Sequence, residues 1–178
     1  TWYLLSQHPE VNAKLRAELK TVLGDRPPGF EDLSALSYTR AVYEEALRLY
    51  PPVPLLSRQA LAEDHIDDKV IPEGSIMMVV PWLLHRHESY WEKPNHFIPE
   101  RFQRDWQHKH EKYAYIPFSA GPRICLGAAF GLSEAVICLA TLAQRFELMV
   151  DAGRKVDYEC RLTLRPKHGL PMRLRIAD

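Results

Sequence analysis

One cysteine stands where its sulfur could do chemistry. Cys125 precedes an apolar segment whose periodicity predicts a helix over about 127–145, and Arg123 lies two residues before it. Unpaired N–H groups at a helix N-terminus and a nearby guanidinium both favour a thiolate. Gly127 lacks a Cβ and leaves room beside the sulfur, and Phe118 offers an aromatic face. The pattern predicts a thiolate presented to a large planar ligand; the alternative is a cysteine packed as a small apolar residue.

The other cysteines and the paired histidines carry weaker signals. Cys138 and Cys160 are interpreted as packed apolar residues. Three cysteines without a CxxC pair argue against a disulfide framework and a common zinc module, and they favour a reducing compartment. The His85-x-His87 and His108-x-His110 pairs have no third ligand at a suitable spacing. These histidines are therefore interpreted as solvated or hydrogen-bonded side chains.

A carboxylate in an apolar stripe is the second candidate. A helix is predicted over about 37–50, and Glu45 lies on its apolar face, where an unpaired charge would be costly. Arg48 is three residues further on and can reach it. The alternative is an ordinary surface pair, in which Glu44 could equally engage Arg48, worth about 0.2–0.5 kcal/mol.

The remaining periodicity predicts the elements that position these residues. Val11, Leu15 and Leu19 mark one face of a helix over about 9–23 that ends at Gly24. Alternation and turn residues predict short elements: strands over about 57–63, 69–71 and 75–80, a short helix over about 82–86, and a C-terminal hairpin that pairs 162–164 with a half-buried strand over 170–176. The helix over 127–145 is apolar on most sides, which predicts burial between layers. The expected fold class is mainly α with small β-sheets (α+β).

Composition narrows the function classes. The 178 residues are 46% hydrophobic and 26% charged, which is typical of a globular domain. The formal net charge is zero, so no global positive field favours nucleic acid. The longest apolar runs have nine residues, well short of the ~18 that a membrane span needs. We expect a cytoplasmic monomer, with an anchor in a preceding segment as the open alternative.

Three motifs resemble those of the cytochrome P450 family, the heme-thiolate monooxygenases. Glu45–Arg48 matches an ExxR motif, Pro99–Phe102 reads PERF, and Phe118–Gly127 fits FxxGxRxCxG at every fixed position. The resemblance implies that residues 1–178 are the C-terminal, heme-ligating portion of one P450 domain. The N-terminal half and the distal helix, with its acid–alcohol pair, then lie outside this chain. We expect residues 1–178 alone to bind heme poorly and to be inactive.

The resemblance also implies roles for individual residues. Cys125 would be the proximal ligand of the iron in heme b (iron protoporphyrin IX), with Phe118 and Gly127 beside it. Arg123, and less directly Arg58, would pair with the heme propionates.

Two further sets of residues follow from the same resemblance. A buried network would join Glu45, Arg48 and Arg101. The substrate pocket would be lined by Val53, Leu55, Leu56, Leu162 and Thr163, which could equally belong to the core.

The implied reaction inserts one oxygen atom from O2 into a lipophilic small molecule. Electrons would come from a ferredoxin, a flavodoxin or a flavoprotein reductase.

Five cations outnumber two anions between residues 101 and 123: Arg101, Arg104, Lys109, Lys112 and Arg123 against Asp105 and Glu111. This positive excess could guide docking of an acidic partner, or the stretch could be a solvated loop. The alternatives are a heme-thiolate isomerase, dehydratase or peroxygenase that needs no external electrons, and a non-catalytic remnant.

Overall fold

The computed structural model describes residues 1–103, 111–151, 153 and 155–177. Its helices are α1 (Trp2–Gln7), α2 (Pro9–Leu23), α3 (Ser37–Leu49), α4 (Pro81–Leu84) and α5 (Ala128–Arg145), with 3₁₀ turns at Phe30–Asp32, Pro99–Phe102 and Gly121–Arg123. Its strands are β1 (Leu56–Gln59), β2 (Asp64–Ile66), β3 (Lys69–Ile71), β4 (Ile76–Val79), β5 (Phe146–Met149), β6 (Tyr158–Cys160), β7 (Leu164–Pro166) and β8 (Arg173–Ile176). The expected class, helices with small sheets, is confirmed.

Helix α2 shows how local sequence sets an element. Pro9 occupies its first turn, where a missing N–H costs nothing, and Glu10 lies at the positive end of the helix dipole. Gly24 follows the last residue with a φ of 60°, a conformation that a side chain disfavours. The apolar stripe is buried along its length, at Val11, Leu15, Leu19 and Leu23.

Helix α3 is capped from another helix. Its own N-cap, Leu36, has no side-chain hydrogen bond to offer. The Glu18 carboxylate on α2 instead accepts from the N–H of Tyr38 at 2.7 Å and from the N–H of Thr39 at 2.8 Å. These are orphan donors of the first turn, so one side chain both caps α3 and fixes it against α2.

One hydrophobic core joins four of the helices. Side chains from α1, α2, α3 and α5 meet there, including Leu5, Leu15, Val42, Leu49 and Val136. Helix α3 lies at the centre, because nine of its thirteen residues are buried. In the part of the chain that the structure describes, no helix has the length and apolarity of a membrane span.

Helix α5 is less buried than its sequence predicts. Its buried residues are Val136, Leu139, Ala140 and Ala143, on the face that packs against α2 and α3. Phe130 on α5 is 73% exposed. Cys138 and Cys160 are exposed as well, so their interpretation as packed apolar residues is wrong. The physical reason is that the described elements cover one side of α5 only.

The strands form four two-stranded antiparallel sheets. Strand β1 pairs with β4, with Arg58 opposite Met77, and β2 pairs with β3. The segment predicted as one strand over 57–63 ends at Gln59. Strand β2 was not predicted, and it turns into β3 through Asp67, whose φ is 52°.

The predicted C-terminal hairpin is wrong. Strand β8 pairs with β5, where Leu174 faces Leu148, and β7 pairs with β6, where Leu164 faces Cys160. All four residues of β8 are exposed, so the expectation of a half-buried strand is also wrong. Alternation of apolar and polar residues identifies a strand but not the strand that pairs with it. The C-terminal segment lies beside the end of α5, where β5 begins, because the N–H of Ala177 donates to the carbonyl of Arg145 at 2.9 Å.

Candidate functional site

A tight loop holds Cys125 in front of helix α5. The Cys125 N–H donates to the Phe118 carbonyl at 2.9 Å, which closes the loop across its base. Two left-handed residues, Ser119 at φ 67° and Gly121 at φ 71°, turn the chain within it. The loop leaves the cysteine exposed, three residues before α5 begins. The main chain of Cys125 is therefore held by a hydrogen bond, while its side chain is exposed.

The surface around this sulfur is apolar. Ile124, Leu126 and Phe130 are all exposed, and Leu126 is entirely so. A Cβ on Gly127 would contact only the Cys125 sulfur, at 4.0 Å, so the space above this glycine is open. An exposed apolar surface of this kind indicates that something binds there.

The two predicted propionate partners lie apart in the chain. Arg123 is exposed within the cysteine loop. Arg58 is exposed on β1, where it donates to the carbonyl of Ser57 at 2.8 Å. Among the described residues neither guanidinium forms an ion pair, and no described hydrogen bond links Arg58 to the cysteine loop. Each is available to an acidic group of a ligand.

The described residues contain no group of three or more histidines, cysteines or carboxylates that could hold a metal ion. His85 is hydrogen-bonded, as expected, while His108 and His110 lie outside the described residues. A metal at Cys125 would therefore have to arrive with most of its ligands already supplied, as it does in a metal-bearing macrocycle.

Glu45 and Arg48 form a wholly buried ion pair. Both side chains are 0% exposed. The Arg48 Nε donates to one carboxylate oxygen at 2.6 Å and Nη2 to the other at 2.8 Å. The remaining N–H groups donate to the carbonyls of His85, Pro94 and His96 at 2.7, 2.7 and 3.0 Å. All five donors of the guanidinium are thus satisfied, which makes a charge in the core tolerable.

Arg101 joins this pair from the 3₁₀ turn at Pro99–Phe102. Its Nε lies 3.4 Å from the Glu45 carboxylate, and its Nη2 donates to the carbonyls of Glu92 and Lys93. The N–H of Ile98 donates to the same carboxylate at 2.9 Å. Glu45 therefore ties the segment over 92–101 to α3, and the structure brings together all three residues predicted for the network.

Sequence reasoning missed His85 as part of this arrangement. The ring is buried, and its Nε2 accepts from the N–H of Ile116 at 2.9 Å. Burial lowers the pKa of His85 to about 4, so the ring is neutral at physiological pH. The only signal in the sequence was a histidine next to a short helix, which does not distinguish a buried acceptor from a solvated side chain.

The predicted pocket residues lie on two adjoining segments. The N–H of Leu164 donates to the carbonyl of Pro52 at 2.8 Å, which places the loop over 161–164 beside the Pro51-Pro52 pair that follows α3. Val53, Leu55 and Thr163 are exposed, Leu56 is half-buried and Leu162 is 90% exposed. Neither segment belongs to the core of the described residues.

The stretch over 101–123, for which the sequence shows an excess of cations, is described only in part. Arg104, Asp105 and Lys109 lie outside the described residues. Arg101 is committed to Glu45, with 10% of its side chain exposed, and does not act as a surface cation. Glu111, Lys112 and Arg123 are exposed.

Comparison with known proteins identifies a family. The Cytochrome P450 family model matches residues 1–171. Cytochrome P450 4V2 of Homo sapiens is 37% identical over 97% of this chain and 34% of its own length. Protein LUTEIN DEFICIENT 5, chloroplastic, of Arabidopsis thaliana is 38% identical over 86% of this chain and 26% of its own length.

A solved structure shares the fold. The crystal structure of the cytochrome P450DA heme domain superposes with a TM-score of 0.90 at 30% identity, over 98% of this chain and 39% of that one. The chain thus spans about a third of the length of the relatives that it matches. Because the match extends over almost every residue of this sequence, the chain belongs to the cytochrome P450 family.

Proposed function

We propose that residues 1–178 are the heme-ligating C-terminal portion of a P450 domain, in which Cys125 is the proximal ligand of the heme iron. Heme is the cofactor of this family. The observation that carries the proposal is the exposed Cys125 sulfur, held by the 2.9 Å bond to Phe118 and surrounded by exposed apolar side chains.

The residues around Cys125 fit a flat apolar group that carries carboxylates. The open space above Gly127 admits a planar ring system, and the half-buried Phe118 would pack beside the sulfur. Arg123 and Arg58 have exposed guanidiniums without an ion pair among the described residues, and they would bind the two propionates. Heme b meets each of these requirements.

Heme held by the Cys125 thiolate would supply cleavage of the O–O bond, and with it the insertion of one oxygen atom from O2 into a lipophilic substrate. The part of the chain over 53–56 and 162–163 would contribute Val53, Leu55, Leu56, Leu162 and Thr163 to the substrate pocket. The exposed side chains of Val53, Leu55 and Leu162, on two segments joined by the Leu164–Pro52 hydrogen bond, support this role. The remainder of the pocket would come from the rest of a longer protein.

The exposed Lys112, six residues before Phe118 in the chain, would help to receive the electron donor. Lys112 would attract an acidic ferredoxin, flavodoxin or flavoprotein reductase, together with Lys109, a cation of the same stretch of sequence that lies outside the described residues. Replacing Lys112 by Glu in the full-length protein should slow reduction at low salt, whereas Lys69→Glu, at an exposed lysine on β3, should not. Equal reduction rates for the two variants would remove this role.

The heme proposal is tested on the full-length protein that contains this chain. The reduced, carbon-monoxide-bound protein should show the red-shifted Soret band of thiolate ligation. Cys125→Ser should abolish that band, and Cys138→Ser, an exposed cysteine on α5, should retain it. A thiolate signature that survives Cys125→Ser would overturn the assignment.

A further inference from the structure

His85 connects two parts of the structure that are far apart in the chain. It follows α4, and its side chain is fully buried between α3 and the segment that enters the cysteine loop. The ring Nε2 accepts from the N–H of Ile116 at 2.9 Å, and the ring centre lies 5.2 Å from that of Tyr115. Its main-chain carbonyl accepts from Arg48 Nη1 at 2.7 Å.

Hydrogen bonds continue from Ile116 to the cysteine. The Ile116 carbonyl accepts from the N–H of Ser119 at 3.1 Å, which closes the turn that contains Phe118. The Phe118 carbonyl in turn accepts from the N–H of Cys125 at 2.9 Å. Displacement of Ile116 would therefore move the base of the loop that presents the sulfur.

We propose that His85 is a positioning residue for the heme ligand, whose neutral imidazole fixes the base of the cysteine loop to the buried Glu45–Arg48 pair. This role rests on the proposed function of Cys125 as heme ligand. His85 does not touch the reacting atoms. It acts through Ile116 and Phe118, and the acceptor at Nε2 is the feature that it supplies.

The role requires a neutral ring. Because Nε2 accepts a hydrogen bond, the single proton of neutral His85 lies on Nδ1. The charged and titratable groups that face the ring among the described residues are Arg48 from α3, Arg86 next in the chain and Tyr115.

Burial lowers the pKa of His85, and the charges of Arg48 and Arg86 lower it further. The nearby carbonyl of Arg48 acts in the opposite direction and raises the pKa. This carbonyl does not form a hydrogen bond of normal geometry with Nδ1. The net result is a pKa of about 4. Protonation of His85 at lower pH would place an N–H at Nε2, facing the N–H of Ile116. Two donors cannot form a hydrogen bond, so the base of the cysteine loop would be released.

The experiment compares two substitutions at this position in the heme-loaded, full-length protein. His85→Gln keeps an acceptor for the Ile116 N–H but cannot titrate, and His85→Phe removes the acceptor. His65→Gln, at an exposed histidine on β2, is the matched control. The readout is the fraction of thiolate-ligated heme in the reduced carbon-monoxide spectrum, followed from neutral pH to about pH 3, below the pKa of His85.

We expect His85→Gln to match wild type at neutral pH and to lose thiolate ligation at a lower pH than wild type does. His85→Phe should show a reduced thiolate fraction at every pH. If His85→Gln and wild type lose ligation at the same pH, the positioning role is overturned, even where His85→Phe fails to fold.

A second readout does not depend on heme. In the heme-free protein, hydrogen exchange of peptides covering residues 114–125 should be about tenfold faster in His85→Phe than in wild type, the effect of losing one buried hydrogen bond. His85→Gln and His65→Gln should exchange like wild type. Unchanged exchange in His85→Phe contradicts the role, whereas a thiolate spectrum that survives Cys125→Ser contradicts the proposed function instead.

Discussion

Arg48 meets Glu45 through two hydrogen bonds of 2.6 and 2.8 Å, three residues apart on one helix and with neither side chain exposed. Spacing of this kind on a helix surface contributes only a few tenths of a kcal/mol. Here the same pair is in the core and also holds the irregular segment over 92–101. Its importance lies in what removal of one partner would leave behind.

Loss of Arg48 should be strongly destabilising. Arg48→Met leaves Glu45 charged and buried and three carbonyls without their donor, so the free energy of unfolding should fall by about 3–5 kcal/mol. Arg40→Met is the matched control, because Arg40 is exposed and pairs with the half-buried Glu44 on the same helix, and the substitution should cost about 0.5 kcal/mol. Urea unfolding of the heme-free protein measures both, and similar losses would show that burial of the pair has no special weight.

Loss of the Glu18 carboxylate should uncap α3. Glu18→Ala leaves the N–H groups of Tyr38 and Thr39 without acceptors, and the free energy of unfolding should fall by about 1–2 kcal/mol. Glu10→Ala, at the exposed start of α2, should change it by no more than about 0.5 kcal/mol. Denaturant midpoints compare the two. A cost for Glu18→Ala no larger than that for Glu10→Ala would contradict the capping role.

Asp32 should make stability depend on pH in the acid range. Arg26 donates to its carboxylate at 2.7 and 2.5 Å, and these bonds, with one from the N–H of Gly29, lower the pKa of Asp32 from 3.8 to about 2. Because the unfolded state binds a proton first, this stabilisation is complete above about pH 4 and is lost as the pH falls through about 2.

The measurement compares wild type with Asp32→Asn across this range. The stability difference between the two should shrink as the pH falls from about 4 to about 2. Asp67→Asn, at an exposed turn residue, should show no such trend. A constant difference between wild type and Asp32→Asn would refute the linkage.

Residues 1–178 alone should bind heme weakly. Ile124, Leu126 and Phe130 are exposed, so this chain offers one apolar face to a planar ligand and no described element opposite it. In an optical titration, saturation should need a large excess of heme, whereas the full-length protein should bind one heme per chain. Tight stoichiometric binding by residues 1–178 would show that one face is enough.

Local sequence determined the main helices and the cysteine loop. The bounds of α2 follow from Pro9 and Gly24, which act on the adjacent main chain, and the pattern from Phe118 to Gly127 marks the loop before α5. The place of Glu45 in an apolar stripe, with Arg48 one turn away, already indicated a buried pair. These features act over a few residues, so they can be read along the chain.

Tertiary structure decided what meets what. The partner of β8, the exposure of Cys138, the cap that Glu18 provides to α3 and the bond from Ile116 to His85 all join residues distant in sequence or depend on what covers a surface. Periodicity gives a strand or a helix one apolar face but does not name the element that packs against it. A single sequence does not indicate which distant residues come into contact, because these contacts form only when the whole core is assembled.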